Sequence, residues 1–255
     1  MLFNNLINYV SLISGFIALV VSFFILAKDI RSTLNLLFFI SLLFWSLMLL
    51  FNAFTFIFKH PTVGANISRD CVTSFGSLSA FLIFITAFGM YKGEHYLKKW
   101  YFIFPTSIAM FINTFISSYF DCVVYDSPDG VTDNLIGIKT TQAAWVKIFL
   151  YGVTIIMIIL AIIYFTLTRR DVSELIIKKR IIYFIIGFTL IICGLLIYGT
   201  SGLIEQMSSE FQGTFEYIAW ISAAMCWSVA PILMFVGFNL GRVKQKDKEI
   251  QTSGI

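Results

Sequence analysis

Residues 6–27 read LINYVSLISGFIALVVSFFILA, an apolar run of 22 residues without a charged side chain. An α-helix rises about 1.5 Å per residue, so a helix of this length crosses the roughly 30 Å hydrocarbon core of a bilayer. Residues 1–5 contain no Lys or Arg, which disfavours a cleavable signal peptide. The run therefore predicts a first transmembrane helix.

The rest of the chain is also rich in apolar residues and poor in charged ones. Of its 255 residues, 58% are hydrophobic and only 13% are charged, against about 25% charged residues in soluble domains. Six more long apolar runs follow, and they are continuous rather than alternating, which is typical of helices. The predicted spans are residues 6–27, 33–58, 71–91, 101–120, 143–168, 181–203 and 215–238. We therefore predict an all-α integral membrane protein, a seven-transmembrane-helix bundle.

Basic residues orient this bundle. Fourteen of the 18 Lys and Arg residues fall in one set of segments, which comprises residues 28–31, 92–99, 169–180 and 242–248. The other set of connections holds only Lys59, Arg69, Lys139 and Lys147. The positive-inside rule places the first set in the cytoplasm and the N-terminus outside. The prediction is a multi-pass protein of the cell membrane, with a transmembrane domain over residues 1–240 and a short basic cytoplasmic tail over 241–255.

The predicted membrane interior contains no charged side chain near its middle, which disfavours ion pathways and proton relays. The last predicted helix lacks the lysine that a retinal protein needs, and the two histidines, His60 and His95, fall on opposite sides, which disfavours haem ligation. Motifs of intramembrane proteolysis are absent. We expect a non-enzymatic protein that interacts with the lipid bilayer, without a metal or cofactor and without a nucleic-acid partner.

Polar and aromatic side chains share faces of three predicted helices. Helical spacings of four and seven residues place them in pairs on one face. The pairs are Trp45 with Asn52, Asn113 with Ser117, and Trp220 with Trp227. One interpretation is that these six residues line a ligand-binding cavity. The other is that they form hydrogen bonds and packing contacts between helices, the ordinary use of polar groups in a membrane.

Several residues on the predicted outer side suggest covalent modification. Cys71 lies at the outer start of the third apolar run and Cys122 follows the fourth, so both thiols would face an oxidising exterior. The sequence leaves open whether they form a disulfide, since it does not give their separation. Asn66 begins an Asn-Ile-Ser glycosylation sequon close to the third helix. The aspartate-rich loop over 121–142 lacks the spacing of a calcium loop and is better explained by turn formation.

A family resemblance rests on features spread over most of the chain. Residues 34–39 read LNLLFF and lead to Trp45, residues 104–105 read FP, residues 112–114 read INT, and residues 169–170 read RR. With seven spans, these features resemble the seven-transmembrane N-terminal sensor region of membrane histidine kinases. The resemblance implies a sensor that signals through its last helix to a cytoplasmic kinase or cyclase domain. The 17 residues after residue 238 are too few for such a domain, so the output would pass to a separate signalling protein.

The leading hypothesis is a sensor or receptor-like module that couples an external or membrane-embedded ligand to a cytoplasmic partner. The alternatives are a small transporter or channel for a neutral or hydrophobic solute, and a structural subunit of a membrane complex; the chain could also form a homo-oligomer. A cavity open to one side favours the sensor. A continuous or alternating path favours the transporter, and a solid core favours the structural subunit.

Overall fold

The computed structural model of the chain describes residues 2–27, 31–55, 63–120, 122–126, 137–141, 144–204 and 212–240. Nearly all of them are helical. In chain order the elements are α1 Leu2–Leu26, α2 Thr33–Thr55, α3 Val63–Lys92, α4 Glu94–Leu97, α5 Trp100–Phe120, β1 Cys122–Asp126, β2 Gly137–Thr141, α6 Ala144–Asp171, α7 Leu175–Ile204 and α8 Gln212–Asn239. The predicted tail over 241–255 lies outside the described residues.

Six of these helices, α1, α2, α3, α6, α7 and α8, are long and apolar enough to cross a membrane. The apolar part of α5, Trp100–Ile116, is shorter within the described residues. The prediction of a multi-pass membrane protein built from apolar helices is therefore confirmed. The count of seven spans, their orientation and the identity of the membrane stay predictions.

Two local features differ from the predictions. Helix α3 begins at Val63, two turns before the predicted start at residue 71, because polar residues in those turns interrupt the apolar run without interrupting the helix. Strands β1 and β2 pair antiparallel, with Cys122 opposite Thr141. This hairpin was predicted only as a loop, and residues 127–136 between its strands lie outside the described part of the chain.

The six apolar helices form a closed ring, in which α1 contacts α2, α2 contacts α3, α3 contacts α6, α6 contacts α7, α7 contacts α8, and α8 returns to α1. Helix α5 packs outside this ring against α3 and α6. Gly93, whose φ of 98° suits a residue without a side chain, separates α3 from the short α4 that leads into α5. The centre of the molecule is therefore surrounded by six helices rather than seven.

Serine hydroxyls join the first three helices of the ring. Ser46 Oγ of α2 donates a hydrogen bond of 2.7 Å to the carbonyl of Gly15 in α1. Ser79 Oγ of α3 donates one of 2.8 Å to the carbonyl of Ser41 in α2. Small residues allow helices to approach closely in a membrane, and hydroxyls that bond across helices stabilise the contact. These bonds fix the register of α1, α2 and α3.

Helix α8 is attached to its neighbours at two levels. The hydroxyls of Ser14 in α1 and Ser228 in α8 contact each other. At the C-terminal end of α8, Arg180 Nε of α7 donates a hydrogen bond of 2.7 Å to the carbonyl of Leu240. A cation at this position also interacts favourably with the negative end of the helix dipole. The middle and the C-terminal end of α8 are thus held by different helices.

The outer surface of the bundle is apolar, as expected for contact with lipid. On α5 the side chains of Phe104, Phe111 and Tyr119 are 64%, 71% and 70% exposed. Soluble proteins rarely expose contiguous apolar surface of this extent. The surface therefore supports the assignment to a membrane.

Described basic residues concentrate at one end of the bundle, which we call the basic end. It comprises the C-terminal ends of α1, α3 and α6 and the N-terminal ends of α2, α5 and α7. Its basic residues are Arg31, Lys92, Lys98, Lys99, Arg169, Arg170, Lys178, Lys179 and Arg180. The opposite end, where the β-hairpin lies, is called the hairpin end.

Candidate functional site

A partly open cavity of about 70 Å³ lies inside the ring of helices. One water occupies roughly 10–15 Å³ on such a scale, so the cavity has room for about five waters or a ligand of similar size. Five helices line it, α2, α3, α6, α7 and α8. The lining residues are Trp45, Met48, Leu49, Asn52, Arg69, Val72, Thr73, Gly76, Ser77, Tyr151, Thr154, Leu195 and Trp227.

The cavity lies in the half of the bundle nearer the hairpin end. Asn52 is close to the C-terminus of α2, while Arg69 and Tyr151 are in the first turns of α3 and α6. Because α2 runs antiparallel to α3 and α6, the C-terminal end of α2 and the first turns of α3 and α6 lie at the same level. The cavity and the basic end are therefore on opposite sides of the molecule.

Two tryptophans form the inner wall of the cavity. The indole rings of Trp45 in α2 and Trp227 in α8 meet edge to face, with centroids 6.3 Å apart and planes at 82°. Both are buried, at 1% and 5% exposure. The Trp227 ring packs on Gly194 of α7, where an added methyl group would lie 2.4 Å from Trp227 Nε1. The glycine thus makes room for the indole.

Between the tryptophan pair and the basic end, aromatic side chains fill the centre of the ring. This phenylalanine cluster consists of Phe38, Phe165, Phe184 and Phe188, all buried. Phe38 meets Phe184 edge to face at 5.1 Å, and Phe165 stacks on Phe188 at 5.4 Å. Phe38 precedes Trp45 by seven residues, so the cluster lies about 10 Å deeper along α2. It closes the interior of the bundle below the cavity.

Asn52 connects the cavity to α1. Its Nδ2 donates a long hydrogen bond of 3.4 Å to Ser11 Oγ, and the side chain is 7% exposed. Two interpretations were weighed for this residue, cavity lining and interhelical hydrogen bonding. The structure combines them, because Asn52 lines the cavity and also bonds to α1.

The site residue that sequence reasoning missed is Arg69. It was assigned to an external connection, but it lies inside α3, is 5% exposed and lines the cavity. Arg69 lies in the second turn of α3, near the hairpin end, so the absence of a charged side chain near the middle of the membrane interior stays a prediction. Sequence reasoning placed Arg69 outside the helix because the polar neighbours Asn66, Ser68 and Asp70 lower the hydropathy of this segment. A buried arginine inside a helix of a membrane protein is a strong signal for a functional site.

The predicted ligand-binding residues separate into groups. Trp45, Asn52 and Trp227, which come from two helices, are brought together around one cavity. Asn113 of α5 is 1% exposed, but it is not among the described lining residues. Its side-chain nitrogen and oxygen have no hydrogen-bond partner in the part of the chain that the structure describes. The side chains of Ser117 and Trp220 lie outside the described residues.

The predicted modification sites lie near the hairpin end. Cys71 of α3 carries a free thiol in the structure. Cys122 begins β1, a strand that contacts α3, but its side chain lies outside the described residues. The disulfide between them stays a prediction, which mass spectrometry after alkylation would test. Asn66 lies within α3, and Ser68 of its sequon is 7% exposed, which argues against glycosylation in the folded protein.

The chemistry of the lining suits binding. Large apolar side chains provide most of the wall, and a few polar groups and one arginine interrupt it, the composition typical of small-molecule sites. Within the described residues, no group of three or more His, Cys, Asp and Glu side chains could hold a metal ion. Comparison with models of known protein families and with curated protein sequences finds no match to this chain.

Proposed function

We propose that this chain is a seven-helix membrane sensor, without enzymatic activity, that couples a small ligand in the cavity to a separate cytoplasmic signalling protein. The observation that carries the proposal is the one-sided cavity. It lies toward the hairpin end and is closed toward the basic end by the tryptophan pair and the phenylalanine cluster. A ligand can therefore change packing in the core without passing through the bundle.

The proposed orientation follows from charge. Basic residues favour the cytoplasmic side of a membrane, and the described ones concentrate opposite the cavity. With the basic end inside, the N-terminus lies outside, the cavity faces the exterior and α5 supplies the seventh crossing. The ligand then arrives from outside or from the outer leaflet.

Helix α8 is the element that we expect to relay the signal. Trp227 lines the cavity, and Pro231 follows it by four residues in the same helix. Proline has no N–H, so it cannot donate the helical hydrogen bond to the Trp227 carbonyl, and the helix is weakened at this turn. A shift of Trp227 on ligand binding would bend α8 there and move its end, where Arg180 bonds to Leu240.

A cavity-filling substitution tests the proposal. Thr154 of α6 lines the cavity and is 8% exposed, whereas Thr166 of the same helix is exposed. A library of small metabolites is screened by thermal shift on the purified protein in nanodiscs. We expect at least one compound to stabilise the wild type and Thr166→Leu, but not Thr154→Leu.

Two results would overturn the proposal. One is the absence of any stabilising compound together with the absence of a copurifying signalling protein. The other is flux of a stabilising compound across proteoliposomes, because a transporter needs a path through the phenylalanine cluster, which a sensor does not.

A further inference from the structure

A short segment at the basic end joins α3 to α5, and we call residues 92–102 the α4 corner. Two contacts hold it against α3. Leu97 packs on Gly89, where an added methyl group would lie 2.7 Å from Leu97 Cδ1. The ring of Phe102 stacks on that of Phe88, with centroids 4.5 Å apart. The corner is therefore a surface of fixed shape at the end of the bundle.

Positive charge concentrates on the α4 corner. Lys92, Lys98 and Lys99 lie on it, and the first two are exposed. Glu94 is its one acidic residue, so with His95 neutral the segment carries a formal charge of +2. Near a membrane surface each basic residue strengthens binding to anionic lipid about fivefold. The corner therefore favours a headgroup with a net negative charge over a zwitterionic one.

Aromatic rings beside the lysines place the α4 corner at the level of the lipid headgroups. Trp100 and Tyr101 are 78% and 52% exposed, and tryptophan and tyrosine favour the interface between water and hydrocarbon. Lys99 Nζ lies 4.2 Å from the centroid of the Tyr96 ring and 5.6 Å from that of Tyr101. Such cation–π contacts hold an ammonium group beside the rings. The charge of Lys99 is therefore kept in the interfacial layer, where lipid phosphates lie.

An apolar strip continues from the corner along α5. It consists of Phe104, Ile108, Phe111 and Phe115, all exposed. Their spacing of three or four residues places them on one face of the helix. From the first to the last of them α5 rises about 16 Å, close to the hydrocarbon thickness of one leaflet. The strip therefore matches an acyl chain that descends from the corner.

We propose that the α4 corner and the apolar strip of α5 form a binding site for an anionic phospholipid. The headgroup phosphate binds the ammonium groups of Lys98 and Lys99, the glycerol lies beside Trp100, and one acyl chain follows the strip. A zwitterionic lipid has the same chains but no net charge, so it gains less from the charge of the corner. This site requires neither the cavity nor the sensor activity.

Native mass spectrometry of the full chain tests the preference for charge. The protein in detergent is titrated with phosphatidylglycerol and, in parallel, with phosphatidylcholine that has identical acyl chains. We expect phosphatidylglycerol to bind at least about tenfold more tightly, because the corner carries more than one uncompensated charge. Equal affinities would overturn the proposal, since the two lipids differ only in the headgroup.

Two double variants with the same loss of charge locate the headgroup. Lys98→Gln combined with Lys99→Gln should weaken phosphatidylglycerol binding about twentyfold, at about fivefold per lysine. Lys178→Gln combined with Lys179→Gln removes the same charge from α7, which packs against α6 and α8 at the same end of the bundle. This control should leave the affinity nearly unchanged. Equal losses in the two double variants would mean that the basic end attracts lipid as a whole, and would overturn a site at the corner.

A last pair of measurements separates a lipid from a free phosphate ion. Inorganic phosphate added at constant ionic strength should not displace phosphatidylglycerol, because it lacks the acyl chain. Phe104→Ser combined with Phe111→Ser should weaken binding of phosphatidylglycerol severalfold. The control is Phe16→Ser combined with Phe23→Ser, two exposed phenylalanines of α1 with the same spacing. Displacement by phosphate, or equal losses in both serine pairs, would overturn the proposed path of the lipid.

Discussion

The indole rings of Trp45 and Trp227 meet edge to face, 6.3 Å between centroids, and form the wall that separates the cavity from the phenylalanine cluster. They come from α2 and α8, which are not neighbours in the ring of helices. The pair therefore joins the two helices that flank α1, across the interior of the ring. In the proposed sensor it is the contact that a ligand would change.

The tryptophan pair should show measurable energetic coupling. Trp45→Leu, Trp227→Leu and the double variant form a thermodynamic cycle in which edge-to-face aromatic pairs give about 0.5–1.5 kcal/mol. Reversible unfolding in mixed micelles measures each term. A cycle between Trp45 and the exposed Phe111 of α5 is the control. It should give a coupling near zero, and equal coupling in both cycles would contradict a direct contact.

Gly194 should be more sensitive to substitution than Gly187, the other glycine of α7 whose surroundings the structure describes. An alanine methyl at this position would lie 2.4 Å from Trp227 Nε1 and 3.1 Å from the carbonyl of Ala223. Overpacking of this kind costs about 1–3 kcal/mol, so Gly194→Ala should lower the unfolding temperature. The matched control is Gly152→Ala of α6, which has nothing within 4 Å. It should be neutral or slightly stabilising, and similar destabilisation by both changes would refute the packing argument.

Much of the fold follows from the sequence because the physical signal is strong. A run such as residues 6–27 admits one interpretation in a bilayer, and the period of a helix suffices to bring Trp45 and Asn52 onto one face. The burial of the first turns of α3, in contrast, could not be predicted from the sequence. Arg69 looks external beside Asp70, because hydropathy does not reveal that neighbouring helices enclose it.

The order in which the helices pack around the ring also could not be predicted from local sequence patterns. Nothing in the pattern of residues 101–120 distinguishes a helix inside the ring from one outside it, so Asn113 was grouped with Asn52 as a cavity residue. The contributions of Tyr151 and Thr154 depend on α6 lying beside α3. Such contacts join distant parts of the chain, and a single sequence does not record them.

Asn113 offers a test of an isolated buried amide. It is 1% exposed, and both polar atoms of its side chain have no hydrogen-bond partner among the described residues. Burying such a group costs about 1–3 kcal/mol, so Asn113→Leu should raise thermal stability. Asn52→Leu is the control, because Asn52 bonds to Ser11 and should lose stability. A loss of stability in Asn113→Leu would mean that Asn113 has a partner in the membrane.

The seventh crossing can be tested by labelling. Helix α3 ends at the basic end, and α6 begins at the hairpin end, so the chain between them must travel the length of the bundle. Helix α5 has 21 residues, about 31 Å at 1.5 Å per residue. With α5 the termini lie on opposite sides of the membrane; with only six crossings they would lie on the same side.

Single cysteines at the two ends distinguish these cases. Asn4→Cys and Gln251→Cys are introduced separately into a chain whose native cysteines are replaced by alanine, and intact cells are treated with a membrane-impermeant maleimide. We expect labelling of Asn4→Cys before lysis and of Gln251→Cys only after it. Ser173→Cys, exposed between α6 and α7 at the basic end, should behave like Gln251→Cys. If both terminal cysteines react in intact cells, or neither does, α5 does not cross; if only Gln251→Cys reacts, the orientation is inverted, and the cavity opens to the cytoplasm.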